Sequence, residues 1–276
     1  MEEITAEYAV QELVETPPLK CVPKVTIACK TDLGRVRENN EDKFEYFLAE
    51  DERTLAARGS VFLVCDGMGG HAAGQIASEL AAKTFIDVYL NHPAADAAVA
   101  MSSAAVAANR FVYDVAQSVP GRRGMGTTLS GLILLQDQAF TVQVGDSRVY
   151  RLRGGELRQL TGEHTWIEEA VSQGWVSRED AAVHPNRHML LRAVGAEPNV
   201  EPEVRAEEAH VGDVYLLCSD GLTNHVGDEQ IAETIGKFGP SEACWKLVSA
   251  ALLDGGSDNC TAMVVRLDGF AEPQPA

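Results

Sequence analysis

Residues 61–70 have the sequence VFLVCDGMGG, in which a short apolar run is followed directly by Asp66 and Gly67. An apolar run of this length with polar residues on both sides is typical of a buried strand. The next segment, 72–90, carries apolar side chains at the spacing of one helical face, namely Ile76, Leu80, Phe85 and Val88. The stretch therefore predicts a strand that ends in an acid and a glycine and leads into a long helix.

Outward from this stretch, the predicted helices occur in pairs and the predicted strands in neighbouring runs. Further helices are predicted at 94–116, 165–173, 228–235 and 241–252. Strands are predicted at 25–30, 43–48, 127–135, 139–144, 149–152, 156–160, 214–218 and 259–267. A parallel sheet would require strands and helices to alternate one by one, and they do not. We therefore predict an α+β fold, an antiparallel β-sandwich flanked by pairs of α-helices.

The composition excludes several classes of protein. The 276 residues include 23 Lys and Arg against 41 Asp and Glu, so the net charge is −18, which repels nucleic acid. A hydrophobic content of 45% excludes disorder for most of the chain. No apolar run approaches the about 20 residues of a membrane span. The six cysteines form no CxxC pair, which predicts reduced thiols in a cytoplasmic protein.

The two ends of the chain differ in character from the part between them. Residues 1–24 are acidic, lack a clear period and end in a proline-containing stretch, so we expect a flexible extension. They have neither the basic nor the apolar segment of a signal peptide. Residues 25–268 are expected to form a single domain, and residues 269–276, with two prolines, a tail.

Carboxylates recur at the ends of the predicted strands, each beside a glycine or just before a strand. They are Asp66, Asp146, Asp220, Asp258, Glu41 and Asp42. Any one Asp-Gly pair is a common turn signal, but strand ends hold a whole set of carboxylates rigidly. Grouped carboxylates raise each other's pKa unless a cation compensates, and oxygen ligands favour Mg²⁺ or Mn²⁺ over Zn²⁺. Two such ions would activate a water and clamp a phosphoryl oxygen, and Arg37, four residues before Glu41, is suited to binding phosphate.

Six short motifs, in this order along the chain, resemble those of the bacterial PP2C-type (PPM) metal-dependent protein serine/threonine phosphatases. They are RENNED at 37–42, DGMGGH at 66–71, GMGTT at 124–128, VGDSR at 144–148, SDGL at 219–222 and SDN at 257–259. The resemblance extends over residues 31–267. It implies a PP2C-like sandwich of four layers in the order αββα.

The resemblance also implies a centre with two Mn²⁺ or Mg²⁺ ions. By position, Asp66 would bridge both ions, and Asp220 and Asp258 would complete one site. The Gly67 carbonyl would hold the second ion, with Glu41 acting through water.

Further roles follow from the same resemblance. Asp146 would hold a third, weaker metal ion, and Arg37 would bind the substrate phosphate. Asp42 and Asn259 would support the first and last motifs. Residues 163–190, which include Trp166 and Trp175, fall where the family has a variable flap beside the substrate.

The sequence departs from the wider family where a proton donor would be expected. Eukaryotic members have a histidine directly after the Asp-Gly pair, proposed as the general acid, and Met68 stands there instead. A methionine cannot donate a proton. His71 is one candidate for this role and a metal-bound water is another. Asn224 stands where many relatives have an acid, and we expect little effect on the two main ions.

The implied activity is hydrolysis of phosphoserine and phosphothreonine monoesters by in-line attack of a metal-bridging water or hydroxide. The implied partners are phosphorylated proteins and a cognate serine/threonine kinase, and we expect a monomer. One alternative is a pseudophosphatase that binds phosphoproteins without turnover. Another is a relative that dephosphorylates a small dedicated regulator, such as an anti-sigma-factor antagonist.

Two weaker patterns indicate other chemistries. Cys29 and Arg35 match the C-x5-R pattern of thiolate phosphatases, but Cys260 and Arg266 also match it inside a predicted strand. Residues 67–72 satisfy a relaxed dinucleotide-binding pattern. The two successive helices that follow do not supply the βαβ unit that such a site needs.

Overall fold

Two antiparallel sheets form the centre of the computed structural model, which describes residues 16–70, 72–181 and 183–273, with only the backbone of Ala72. The first sheet has five strands, in the order β1 (Val22–Asp32), β11 (Cys260–Ala271), β10 (Val214–Cys218), β7 (Arg148–Arg153) and β8 (Glu156–Gln159). The second has the order β2 (Asp42–Phe47), β3 (Ser60–Met68), β5 (Leu129–Leu135), β6 (Gln138–Val144) and β9 (Glu203–Glu208), and β4 (Gly126–Thr127) pairs with the end of β3. This arrangement confirms the predicted antiparallel sandwich.

The sequence of β3 is apolar on both faces because both faces are covered. Phe62 and Val64 pack between the two sheets, together with residues of β5, β10 and β11. Val61, Leu63 and Cys65 face the other way and pack against helices. A strand covered on both sides has a continuous apolar run rather than an alternating one.

The helices form two outer layers. On the second sheet lie α2 (Ala72–Asn91) and α3 (Ala97–Ser118), and on the first lie α7 (Asp228–Lys237) and α8 (Pro240–Leu253). Four short helices occupy connections: α1 (Glu52–Ala57), α4 (Trp166–Ser172), α5 (Arg178–Ala181) and α6 (Asp220–Thr223). None of the helices in the described part of the chain is long and apolar enough to cross a membrane. The layers therefore follow the predicted order αββα.

The sequence pattern predicts the long elements but not several of the short ones. The four outer helices begin and end within three residues of their predicted bounds. Strand β9 was missed because its sequence, EVRAEE, is mostly charged and lies at a sheet edge. The helices α1, α5 and α6 are too short, at four to six residues, for a helical period to be visible.

The paired strands extend beyond the predicted domain bounds at both ends. Val22 pairs with Ala271, so residues 22–24 and 269–271 belong to β1 and β11 rather than to an extension or a tail. The register shifts between Lys24 and Val25, which interrupts any regular pattern there. The side chain of Gln136 accepts a hydrogen bond from Lys20 N (2.9 Å). The expectation for residues 1–15 lies outside the described residues.

A fully buried arginine fixes the end of the sandwich where β3 begins. The guanidinium of Arg58 donates hydrogen bonds to the backbone carbonyls of Ala57 (2.9 Å), His92 and Ala94 (2.9 Å). Its own carbonyl accepts from the hydroxyl of Tyr89 (2.8 Å). Arg58 thus joins α1 to the connection between α2 and α3.

We expect Arg58→Met to lower the free energy of unfolding by about 3 kcal/mol or more, because each buried carbonyl left unpaired costs about 1–3 kcal/mol. Urea denaturation measures the change. The control is Arg110→Met, which removes an exposed ion pair with Asp114 on α3 and should cost less than about 1 kcal/mol. Equal losses in the two variants would contradict the role given to Arg58.

Candidate functional site

An open cleft of about 910 Å³ lies at one end of the sandwich. Most of the residues singled out from the sequence line it: Arg37, Glu41, Asp66, Gly67, Asp146, Asp220, Asp258 and Asn259. Asp42 lies behind the cleft and is buried. His71 lies outside the described residues.

The strand register explains why these distant residues meet. Asp42 pairs with Asp66, so the start of β2 lies beside the end of β3. Cys218 pairs with Ala262, so the residues after β10 lie beside those before β11. The carboxylates at these strand ends therefore share one edge of the sandwich.

The backbone of Asp66 is fixed by the GMGTT segment. Thr128 N donates to the Asp66 carbonyl (2.8 Å), and Asp66 N donates to Thr128 Oγ1 (2.8 Å). Thr127 Oγ1 donates to the same carbonyl (2.9 Å). These bonds aim the Asp66 side chain into the cleft without using its carboxylate.

The first and second motifs pack together through glycines. Gly67 N donates to the carbonyl of Glu41 (3.1 Å), and Ser78 Oγ donates to the same oxygen (2.7 Å). A Cβ at Gly67 would lie 2.5 Å from that oxygen. A Cβ at Gly74 would lie 2.0 Å from Glu41 Oε2. Larger residues at either glycine would displace Glu41 from the cleft.

Asn259 fastens the first motif to the last. Its Oδ1 accepts from Glu41 N (2.8 Å), and its Nδ2 donates to the carbonyls of Leu33 (2.9 Å) and Asn39 (3.0 Å). The segment that carries Arg37 and Glu41 is therefore held from the other end of the chain.

Asp42 makes contacts of a different kind. Its Oδ2 accepts from Ser219 Oγ and from Thr261 Oγ1, both at 2.7 Å. Burial raises the pKa of Asp42 to about 7, against these two hydrogen bonds, which lower it. Asp42 therefore does not reach the cleft. It joins β2 to the ends of β10 and β11, which is the contact pattern of a positioning residue.

The carboxylates in the cleft destabilise each other's charged form. Desolvation raises the pKa of Asp66 well above its ordinary value. Smaller contributions in the same direction come from the charges of Asp42, Asp220, Asp146 and Asp258. Desolvation and the charge of Asp220 raise the pKa of Asp146 to about 8. The protein therefore concentrates negative charge that only protons or cations can offset.

Asp220 shows this most directly. Its Oδ2 accepts from Asn224 Nδ2 (3.1 Å) and lies 3.7 Å from His188 Nδ1. Its Oδ1 is buried and has no hydrogen-bond donor among the described residues. A buried carboxylate oxygen without a donor, beside three other carboxylates, fits a hard divalent cation.

The side chains do not form a closed cage as they stand. Within the described ranges, no three acidic, histidine or cysteine side chains are placed to hold one ion. Asp258 is instead turned onto Arg37, with Nη2 and Oδ2 2.6 Å apart in a partly exposed ion pair. An ion at this site would have to compete with Arg37 for Asp258.

Part of the cleft wall comes from residues that carry no motif and that the sequence analysis did not single out. They are Leu191, Arg192, Glu197, Asn199 and Glu201. Asn109 on α3 secures this wall, because its Oδ1 accepts from Gly195 N (2.7 Å) and its Nδ2 donates to the Glu197 carbonyl (3.1 Å). Only the three-dimensional contact with α3 reveals these positions.

The cysteine alternative is not supported by the chemistry of Cys29. Burial raises the pKa of its thiol to about 12, so the thiolate that a phosphatase of that class needs is not populated at neutral pH. All six cysteines are free thiols. Cys29 also lies within β1 rather than in the cleft.

Residues 35–249 match the family described as Protein phosphatase 2C. The chain is 37% identical to the serine/threonine protein phosphatase PstP of Mycobacterium tuberculosis over 237 residues, which are 86% of this chain but 44% of that relative. It is also 37% identical to the serine/threonine phosphatase stp of Listeria monocytogenes, over 87% of this chain and 94% of the relative. The chain belongs to the protein phosphatase 2C family.

Solved structures of relatives have the same fold. The Staphylococcus aureus serine/threonine phosphatase Stp1 superposes with a TM-score of 0.82 at 27% identity, covering 93% of this chain and all of that one. The catalytic domain of PstP, solved in complex with two manganese ions, gives a TM-score of 0.75 at 34% identity, covering 88% and 97%.

Proposed function

We propose that this chain is a metal-dependent protein phosphatase that hydrolyses phosphoserine and phosphothreonine monoesters. The observation that carries the proposal is the convergence of Asp66, Asp146, Asp220 and Asp258 on one cleft that Arg37 also lines. The manganese-bound PstP relative supports a centre of two Mn²⁺ or Mg²⁺ ions here.

We assign the residues to the two ions as the family resemblance implies. Asp66 would bridge, Asp220 and Asp258 would complete one site, and the Gly67 carbonyl with Glu41 would serve the other. When bound, the ions would supply Lewis acidity that activates a water and offsets phosphoryl charge.

Arg37 and Asp146 lie beside this two-ion centre, and we assign Arg37 to the substrate phosphate and Asp146 to a third metal site. The guanidinium of Arg37 is half-exposed in the cleft and can turn from Asp258 to two oxygens of a phosphate. It would hold the phosphoryl group in place and neutralise part of its charge of about −2. Asp146 would hold a third, weaker ion.

The leaving hydroxyl group of the substrate needs a proton from a group near the ester oxygen. Met68 lines the cleft beside Gly67 and has no proton to give. His71 and a water at the metal centre remain the two candidates in our proposal.

The proposed substrates are proteins phosphorylated on serine or threonine, including those of a cognate kinase. The monomeric state and the cytoplasmic location stay predictions. The net charge of −18 does not oppose phosphate binding, because the local charge of the occupied site is set by the ions.

A phosphothreonine peptide tests the proposal. We expect the purified chain to hydrolyse it with Mn²⁺, to lose the activity in excess chelator and to recover it when Mn²⁺ is restored. Released phosphate is the readout. Cys29→Ser should behave like the wild type.

Two outcomes would overturn the proposal. Hydrolysis that persists in chelator and is lost in Cys29→Ser would indicate a thiolate mechanism. Peptide binding without phosphate release would indicate a pseudophosphatase.

A further inference from the structure

His225 connects the segment that follows Asp220 to the loop that carries Asp258. The metal-ligand assignment uses both aspartates but does not explain what holds them in place relative to each other. His225 follows α6, which begins at Asp220, and it contacts the loop 254–259, which carries Asp258 between α8 and β11. Its Nε2 lies 2.8 Å from Ser257 Oγ and 3.2 Å from Ser257 N, and its Nδ1 lies 3.1 Å from Asp254 Oδ2.

These distances fix the tautomer of His225. A backbone N–H can only donate, so Nε2 must accept from Ser257 N and carries no proton. The ring proton is then on Nδ1, where it donates to the Asp254 carboxylate. Asp254 therefore orients the ring and keeps Nε2 available as an acceptor.

The loop 254–259 needs such a support because its own backbone is permissive. Gly255 and Gly256 are consecutive and both have positive φ, +132° and +54°, a conformation that glycine adopts without strain. No side chain of theirs packs against the fold to hold it.

The other side of the loop is held by the backbone just before the first motif. Arg35 N donates to the Gly256 carbonyl (2.7 Å), and a Cβ at Gly34 would lie 2.2 Å from the Asp258 carbonyl oxygen. The loop is thus enclosed between residues 34–35 and the ring of His225.

We propose that His225 is a positioning residue that keeps Asp258 in place relative to Asp220, so that both carboxylates can serve one ion. This inference rests on the proposed function, because it assigns both residues to the same metal site. The ring connects the chain segment after Asp220 to the residue immediately before Asp258.

The same atoms have the order of a Ser–His–Asp nucleophilic triad, which is the competing interpretation. The geometry favours the positioning role for two reasons. Nε2 is shared with the backbone N–H of Ser257, and neither Ser257 nor His225 is among the residues that line the cleft.

Calorimetric titration of the full chain with Mn²⁺ tests the inference. Removing a group that orients a metal ligand typically costs 10–100-fold in metal affinity, and we expect a loss in that range for His225→Leu. His225→Gln can place an amide oxygen where Nε2 accepts and should recover most of the affinity. His210→Leu, at an exposed histidine near Glu208, is the matched control and should bind Mn²⁺ like the wild type.

The outcomes separate the two proposals. A wild type that binds no Mn²⁺ would overturn the proposed function itself. A wild type that binds, with His225→Leu binding equally well, would overturn only the role of His225. Equal losses in the Leu and Gln variants would assign the effect to side-chain shape and also overturn it.

Two measurements on the wild type also test the inference, and they do not depend on whether a variant folds. Long-range ¹H–¹⁵N spectra should show His225 protonated at Nδ1 and not at Nε2. Protonation at Nε2 would contradict the inference. Labelling of Ser257 by a fluorophosphonate probe would show a nucleophile and overturn the positioning role, and we expect none.

Discussion

Asp66→Asn should abolish metal-dependent hydrolysis and at the same time raise the melting temperature of the metal-free protein. The activity falls because a ligand shared by both ions is lost. Loss of a residue that only orients a metal ligand lowers activity or metal affinity by up to about 100-fold, so we expect at least a hundredfold decrease in activity here. The stability rises because desolvation and four neighbouring carboxylates disfavour the charge of Asp66. Peptide hydrolysis in Mn²⁺ and thermal unfolding in chelator measure the two effects.

The opposite signs make this prediction specific. A substitution that simply damaged the fold would lower both quantities. Each kcal/mol gained should raise the melting temperature by about 2–4 °C in a protein of this size. Asp114→Asn, the same change at an exposed ion pair on α3, should alter neither quantity. Retained activity in Asp66→Asn would remove this residue from the metal site.

Arg37→Ala should raise KM for a phosphothreonine peptide by about 10–100-fold with a smaller change in kcat, because Arg37 would hold the phosphate in both ground and transition states. That range corresponds to the about 1.5–3 kcal/mol of a hydrogen bond to a charged group. Affinity for Mn²⁺ should stay the same or increase, since Arg37 holds Asp258 at 2.6 Å in this structure. Steady-state kinetics and metal titration measure the two.

Arg37→Lys should recover only part of the loss, because an ammonium lacks the planar fork that binds two phosphate oxygens. Arg266→Ala breaks an ion pair with Asp268 that is also 2.6 Å long but lies on β11 outside the cleft, and it should leave the kinetics unchanged. A large decrease in kcat at constant KM would contradict the phosphate-binding role.

Much of the site could be predicted from the sequence, because the ends of core strands can be predicted from it. An apolar run followed by Asp and Gly marks both the end of a core strand and a carboxylate at its edge, as at Asp66 and Asp220. Antiparallel pairing then brings such ends together. The sequence pattern alone did not separate Glu41 from Asp42. Consecutive residues at a strand start point to opposite sides, and here Glu41 lines the cleft whereas Asp42 is buried behind it.

The rest depended on contacts between segments without a pattern of their own. Asn109 lies in an Ala-rich helix, and nothing in its neighbourhood indicates that it binds the backbone of Gly195 and Glu197. The pairing of Arg37 with Asp258 joins residues 221 positions apart. The charged strand β9 acquires its conformation by pairing with β6 rather than from its own sequence.

The pairing of β1 with β11 has a practical consequence for attaching other modules. Asp32 and Cys260 pair at the end near the cleft, and Val22 and Ala271 pair at the opposite end. Eleven residues of strand, at about 3.4 Å each, separate the two ends by more than about 30 Å. The β1–β11 pair therefore runs from the cleft to the opposite end of the sandwich, and a module inserted at the Val22–Ala271 end would lie away from substrate access.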